Sequence, residues 1–360
     1  MSNNNHNQRM RGVNFGGWLS QIDAIEEKDP EKFPGADVHM ETFIGNGDFA
    51  NVKSWGFDHV RLPIDSYLFF TDDEKPLADR IANLDRAVEL SKQNNLKLII
   101  DLHECPGHDF ADSTKSPVQK LFADEHYISK AKKIWAFIAE RYSMESHVLF
   151  ESLNEPVAPS AEIWNDVAKK LCAEIRRFAS RSTIITGSNM WNWPSAFGEL
   201  SPIDDDNVIY SVHFYEPLLF THQNAPWLSE PETKIVRDYP SDYGSGFTRK
   251  YGLVMSKGVW NKERFVQELE PVNVFRKKYN VAVICNEFGV YTPVALDAQL
   301  RWYNDLLSVL EQMNIGFSYW NYKNLDFGII STGEKLHEKL PQYDNPERIN
   351  RSLLEVLRKY

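Results

Sequence analysis

Short apolar segments recur eight times along this chain, and a stretch of helical spacing follows most of them. They start at Arg11, Asp58, Leu98, Leu149, Thr183, Val208, Val281 and Gly316. Between them, Asp79–Gln93 repeats apolar or small residues at Ile81, Leu84, Ala87, Val88 and Ser91, and Tyr127–Tyr142 does so at Ala131, Ile134, Trp135, Ile138 and Ala139. That is the spacing of one buried helix face. Ala161–Phe178, Lys262–Tyr279, 296–313 and Asn345–Lys359 read the same way, and Gly56 closes a helix from about Asp48. Strands alternating with helices make parallel sheets, and eight such units predict a closed α/β barrel of the (β/α)₈ type. Residues 1–360 then form one catalytic-sized domain. Residues 24–45 read as irregular. The stretch 216–260 is too long for a simple connection and reads as a lid or subdomain inserted after the sixth strand.

In a parallel barrel the chemistry sits where strands end, at their carboxyl termini. The fourth segment, LFESLNEP (Leu149–Pro156), stops at Asn154–Glu155, because Pro156 cannot donate to a sheet ladder. The seventh repeats the construction at Asn286–Glu287. One carboxylate at each of two strand ends is the minimum for cleaving a glycosidic bond. Glu155 as a helix cap and Asn154 as a turn residue is the bland alternative. Arg61 lies inside the second apolar segment, which Pro63 should end. A buried guanidinium needs a carboxylate partner inside the barrel. The third segment ends at His103, and the sixth presents His213 and Tyr215 on one face. Asn14 lies in the first segment, Arg11–Ser20, which ends in a Gly-Gly turn, and could face a ligand. Trp191 and Trp193 form an exposed-looking aromatic loop after the fifth segment, Trp227 lies in the long insertion, and Trp320 ends the eighth. His103, Cys105 and His108 match no common zinc spacing, so no metal is expected.

Charge and composition remove other classes. A formal charge of −11 opposes nucleic-acid binding through phosphates. No apolar run long enough for a membrane span exists, and MSNNNHNQRM lacks the apolar core of a signal peptide. With three widely spaced cysteines, this points to a monomer in a reducing cytoplasm, a reading that fails if a leader has been removed.

Taken in order, Arg61, His103, Asn154–Glu155, His213-x-Tyr215, Glu287 and Trp320 resemble the strand-end set of glycoside hydrolase family 5, the cellulase family. The likeness covers nearly the whole chain. GGWLSQ (Gly16–Gln21), FTHQ (Phe220–Gln223) followed by Trp227, and YKNLDF (Tyr322–Phe327) are similar to the compact clostridial endoglucanases of that family. The resemblance implies a retaining endo-β-glucanase, without metal or organic cofactor, acting on β-1,4 and mixed-linkage β-1,3-1,4 glucans. It implies Glu287 as nucleophile, Glu155 as acid/base, and Arg61 and Tyr215 beside Glu287. Asn154 would meet the sugar 2-hydroxyl, with His103 and His213 orienting carboxylates or sugar. Trp320 would floor the site, and Trp191, Trp193 and Trp227 would flank it. Glu104 and Cys105 after His103 depart from the usual pattern, which leaves open a β-mannanase, or an exo-acting β-glucosidase or β-mannosidase on imported oligosaccharides. A non-catalytic sugar-binding barrel is disfavoured by the presence of both carboxylates.

Overall fold

The computed structural model describes residues 9–28, 30–109, 119–228, 230–250, 253–333, 335 and 338–360. Eight strands close into a parallel barrel: β1 (Arg11–Asn14), β2 (His59–Asp65), β3 (Lys97–Glu104), β4 (Val148–Glu151), β5 (Ile184–Gly187), β6 (Val208–Phe214), β7 (Ala282–Phe288) and β8 (Gly316–Tyr319), with β8 pairing back onto β1. The expected barrel is present. Helices Ala78–Gln93, Glu125–Tyr142, Ala161–Phe178, Lys262–Tyr279 and Leu296–Gln312 wrap it. Several begin with a side-chain cap: Asp124, Ser160 and Asn261 accept from the main-chain N–H of His126, Ile163 and Arg264. Each such cap contributes about 1 kcal/mol.

The fourth strand ends at Glu151, so Asn154 and Glu155 stand in the loop after it and not on the strand. Three further readings differ from expectation for identifiable reasons. Pro63 does not stop β2, which continues to Asp65. On the β1 side of β2, the Arg61 carbonyl accepts from Phe15 N–H (2.9 Å), and Asp65 N–H donates to Leu19 (3.0 Å). Pro63 falls between them on that side, beyond the last residue of β1, so its missing N–H breaks no ladder bond. The region 24–45 is not irregular: it forms short helices at Ile22–Lys28 and Ala36–Thr42, the second seated by buried His39 and Met40. The closing helix is shorter than read, Arg351–Lys359, because Asn350 caps it through Leu353 N–H.

After β6 the chain makes a short helix at Leu218–Thr221, a turn at Pro231–Lys234, and two antiparallel ribbons, Ser241–Asp242 with Val259–Trp260 and Phe247–Lys250 with Leu253–Ser256. Buried Tyr239 and Trp260 root this segment, and the Tyr239 hydroxyl donates to Asp305 on the helix Leu296–Gln312 (2.9 Å). Among the described residues no helix is long and apolar enough to cross a membrane.

Two cores divide the molecule. The larger lies between barrel and helices. The smaller fills the barrel floor with Met10, Ile99, Leu149, Ile185, Ile209 and Ile284, five of them from five successive strands. Side chains alternate along a strand, so the same face of β3 carries Ile99, Asp101 and His103, and that of β6 carries Ile209, Ser211 and His213. An apolar floor thus lies beneath a polar upper layer. All three cysteines are buried and free.

Trp135 ties one helix to β4: it is fully buried, and its indole N–H donates to the Ser152 carbonyl at 2.9 Å. Trp135→Ala should cost about 3–5 kcal/mol. Thermal unfolding checks this, and an unchanged midpoint would show that the site collapses around the loss.

Candidate active site

Arg61 is the centre of the polar layer. It has no exposed surface, yet it touches three carboxylates. Nε and Nη2 donate to the two oxygens of Glu151 at 2.7 and 3.0 Å, Nη2 lies 2.9 Å from Asp101 Oδ2, and Nη1 reaches Glu287 Oε1 at 2.6 Å. Its other bonds go to the side-chain oxygens of Asn14 (3.0 Å) and Asn154 (2.9 Å). Burial opposes the charge, but Asp101, Glu151 and Glu287 outweigh it and hold the guanidinium ionised.

A bulge shapes the next layer. Cys285 pairs with Val212 and Glu287 with His213, so β7 carries one residue more than β6 between those pairs. Consecutive residues can then face inward together. Asn286 donates to Glu151 Oε2 (2.8 Å), while Glu287 meets Arg61 and accepts from the Tyr215 hydroxyl (3.0 Å). On the other side Glu155 has a left-handed backbone, φ 43°. A non-glycine residue there costs roughly 1–2 kcal/mol. Its flanks are pinned: Asn154 N–H donates to Leu102 (3.0 Å), Trp191 N–H donates to Pro156 (3.1 Å), and the Asn189 side chain clasps the main chain of Ala158.

His213 links the two acids. Nδ1 lies 2.8 Å from Glu155 Oε1 and 3.7 Å from Glu287 Oε2. The Asn192 amide donates to Nε2 (3.2 Å), which leaves the ring hydrogen on Nδ1, facing Glu155. One carboxylate oxygen from each glutamate and one ring nitrogen of His213 lie within 4.8 Å of one another. The donor types would suit a divalent ion, but a cation there would adjoin the permanent charge of Arg61. His103 accepts or donates at Asp101 Oδ2 (2.9 Å) and stacks on Trp320, centroids 5.9 Å apart at 6°. Gly16 permits that position of the indole: a Cβ on it would lie 2.6 Å from the Trp320 ring.

Four carboxyl groups thus share one fixed cation. Burial lowers His103 to about 3 and His213 to about 4, so neither imidazole adds charge near neutrality. Burial raises Glu155 to about 8 and Asp101 to about 7, with Arg61 opposing in both, and raises Glu151 for the same reason. Glu155 keeps 13% of its side chain exposed, enough for a substrate to reach it.

The expected residues divide into two groups. Arg61, His103, Asn154, Glu155, His213, Tyr215, Glu287 and Trp320 converge at one end of the barrel. Asn14 does not face outward: it is fully buried, and its amide donates to Asn286, Ser318 and Tyr319 carbonyls while its oxygen takes Arg61. Trp191 is buried, at 8% exposure, because positive φ at Met190, Trp191 and Asn192 turns the chain inward; Trp193 is half-buried. Trp227 is 47% exposed, against His222 and Tyr291. His108 faces the Asn154 carbonyl at 2.8 Å, not Cys105 and His103 as joint ligands. Sequence reasoning missed Asp101, Glu151 and Asn192, and gave Asn286 no role. Acidic residues within apolar strands, spaced two apart from His103 or opposite Arg61, were the available signal.

A family model, "Cellulase (glycosyl hydrolase family 5)", matches residues 24–326. The chain belongs to glycoside hydrolase family 5. It is similar to endoglucanase C of Acetivibrio thermocellus, 36% identical over 336 residues that cover 90% of this chain and 94% of the relative. Cellodextrinase A of Ruminococcus flavefaciens is 30% identical, covering 85% and 83%. The fold matches crystalline endoglucanase Cel5A of Thermotoga maritima with TM-score 0.73, at 24% identity and 97% and 96% coverage. The family 5 chain is a glycoside hydrolase with a (β/α)₈ barrel.

The protonated state of Glu155 has a stability signature. Unfolded, the group titrates near 4.5; folded, near 8. Between those values the folded protein binds more protons, so this contribution is complete below about pH 4.5 and is lost as pH rises through 8. One proton corresponds to at most about 1.4 kcal/mol per pH unit. Glu155→Gln removes the effect, so the melting temperature of the variant minus that of wild type should grow from pH 5 to pH 8. A constant difference would assign the raised titration to another group.

Proposed function

We propose that this protein is a retaining endo-β-glucanase that cleaves β-1,4 and mixed-linkage β-1,3-1,4 glucans by double displacement. The observation that carries the reading is the closeness of Glu155 and Glu287: one carboxylate oxygen of each lies within 4.8 Å of one from the other. Retaining pairs stand about 5–5.5 Å apart, whereas inverting pairs leave room for water at about 6.5–9.5 Å.

Glu287 is the proposed nucleophile. Arg61 and the Tyr215 hydroxyl hold its two oxygens, which aims one lone pair at the anomeric carbon. Glu155 is the acid. With His213 Nδ1–H on Oε1, its own proton sits on Oε2, free for the leaving oxygen. Formation of the glycosyl ester removes the charge of Glu287. Glu155 then deprotonates water, and the ester is hydrolysed. Asn154 Nδ2 is buried with no acceptor among the described residues, which suits the sugar 2-hydroxyl. Trp320, stacked on His103, is the proposed floor of the sugar site. Trp227 is the proposed outer stacking residue, and the segment 216–260 the proposed wall of the cleft beside it. The name of the relative endoglucanase C supports endo action. The cellodextrinase relative favours a second reading, release of short products from soluble oligosaccharides. Product lengths from cellohexaose and barley β-glucan separate the two.

Proton magnetic resonance of the first product is the direct test. A β-configured product supports double displacement, and an α-configured one overturns it. Glu287→Gln should lower kcat by on the order of 10³-fold or more while the protein stays folded. The value of kcat/KM should fall above about pH 8, as Glu155 loses the proton it must donate. Retained activity in the variant, or a flat alkaline limb, would refute the respective assignments.

A further inference from the structure

We propose that His222 is a specificity-determining residue that accepts a hydrogen bond from a pyranose hydroxyl through Nε2. The inference rests on the glycosidase reading and adds a sugar contact to it. His222 follows the short helix Leu218–Thr221 and stands among three aromatic rings: Tyr215 at 5.3 Å, Phe327 at 5.5 Å and Trp227 at 6.1 Å between centroids. Tyr215 hydrogen-bonds Glu287, and Trp227 is half exposed. The imidazole therefore lies between Tyr215, which holds Glu287, and the half-exposed Trp227.

Its hydrogen-bonding sense follows from its neighbours. Nδ1 is 2.9 Å from Thr221 Oγ1. That hydroxyl has one hydrogen, and the two carbonyls beside it, Tyr215 at 2.5 Å and Pro217 at 3.3 Å, only accept. The hydrogen is committed to them, so Thr221 meets His222 as an acceptor. Nδ1 must then carry the ring hydrogen, and Nε2 keeps a bare lone pair. Burial lowers the ring to about 4, which keeps it neutral in the working range. His222 is half-buried, and the hydrogen bonds of the described residues give Nε2 no donor.

A neutral acceptor walled by aromatic rings has narrow chemistry. It repels a carboxylate. It gains most from a hydroxyl donor on a molecule whose apolar faces meet the rings, and a sugar is such a molecule. A site built to accept from one hydroxyl discriminates against a sugar that lacks it, because the nitrogen is then left unpaired. His222 would thus sort glycosides by the position or orientation of one hydroxyl, a role separate from the carboxylates.

The test is kcat/KM for wild type and His222→Phe on aryl β-cellobioside and its monodeoxy analogues. Phenylalanine keeps the ring packing and removes the nitrogen. Removing one particular hydroxyl should cost wild type about tenfold and cost the variant nothing further. Equal deoxy penalties in both proteins would overturn the proposal, even with a slower variant, since His222 would then only support Tyr215 through Thr221. His222→Leu substitutes if His222→Phe does not fold. Tryptophan-fluorescence titration with cellotetraose separates this inference from the underlying reading. Binding to Glu287→Gln should weaken about tenfold when His222→Phe is added, and an unchanged Kd overturns the inference. Wild type that binds sugar but hydrolyses no glycoside would sink the glycosidase reading alone, and absence of both binding and hydrolysis would sink both.

Discussion

The buried charge of Arg61 is the constraint on which the upper half of the barrel depends. A guanidinium with no exposed surface is tolerable only if every donor is met. Here Asp101, Glu151, Glu287, Asn14 and Asn154 meet it, drawn from β1, β3, β4, β7 and the loop after β4. Deleting one partner would strand a charge in the interior, which is why these strand ends are locked in relative position. The same constraint leaves one cation for four carboxyl groups. Some of them must keep protons, and Glu155, raised to about 8, is the most exposed of the four.

Position in the fold gives two glutamates of one type opposite surroundings. Glu287 lies against the Arg61 guanidinium and accepts from the Tyr215 hydroxyl. Glu155 has a neutral imidazole for its neighbour and is reached by the charge of Arg61 less directly than burial counts against it. Backbone irregularity makes this separation possible. The bulge in β7 turns Asn286 and Glu287 inward together, and the left-handed turn at Glu155 brings it across from them. In regular strands, neighbouring residues would point to opposite faces.

Most of the architecture was legible from periodicity. Short apolar runs marked the strands, spacing of three and four marked Ala161–Phe178 and Lys262–Tyr279 to the residue, and the order of strand-end polar residues marked the site face. Misreadings fell where a local rule lacked its tertiary context. Pro63 is a strand breaker only where its N–H would have been used, and β1 has already ended there. Trp191 resembles an exposed aromatic until the positive φ at Met190, Trp191 and Asn192 turns it inward. Asn14 is at a strand end, as a ligand contact would be, but serves Arg61 from beneath.

The sequence by itself determined that eight strand–helix units would close, that a charged residue inside an apolar strand must be paired, and that Asn154–Glu155 and Asn286–Glu287 would lie on the face where the strands end. These follow from patterns within a few residues. Only the tertiary structure decided which carboxylates pair with Arg61, that Asp101 and Glu151 join them, and that His213 faces Glu155. Those contacts join residues dozens to hundreds of positions apart, such as Arg61 with Glu287. Their proton affinities depend on burial and on the sum of neighbouring charges, quantities that exist only once the barrel has closed.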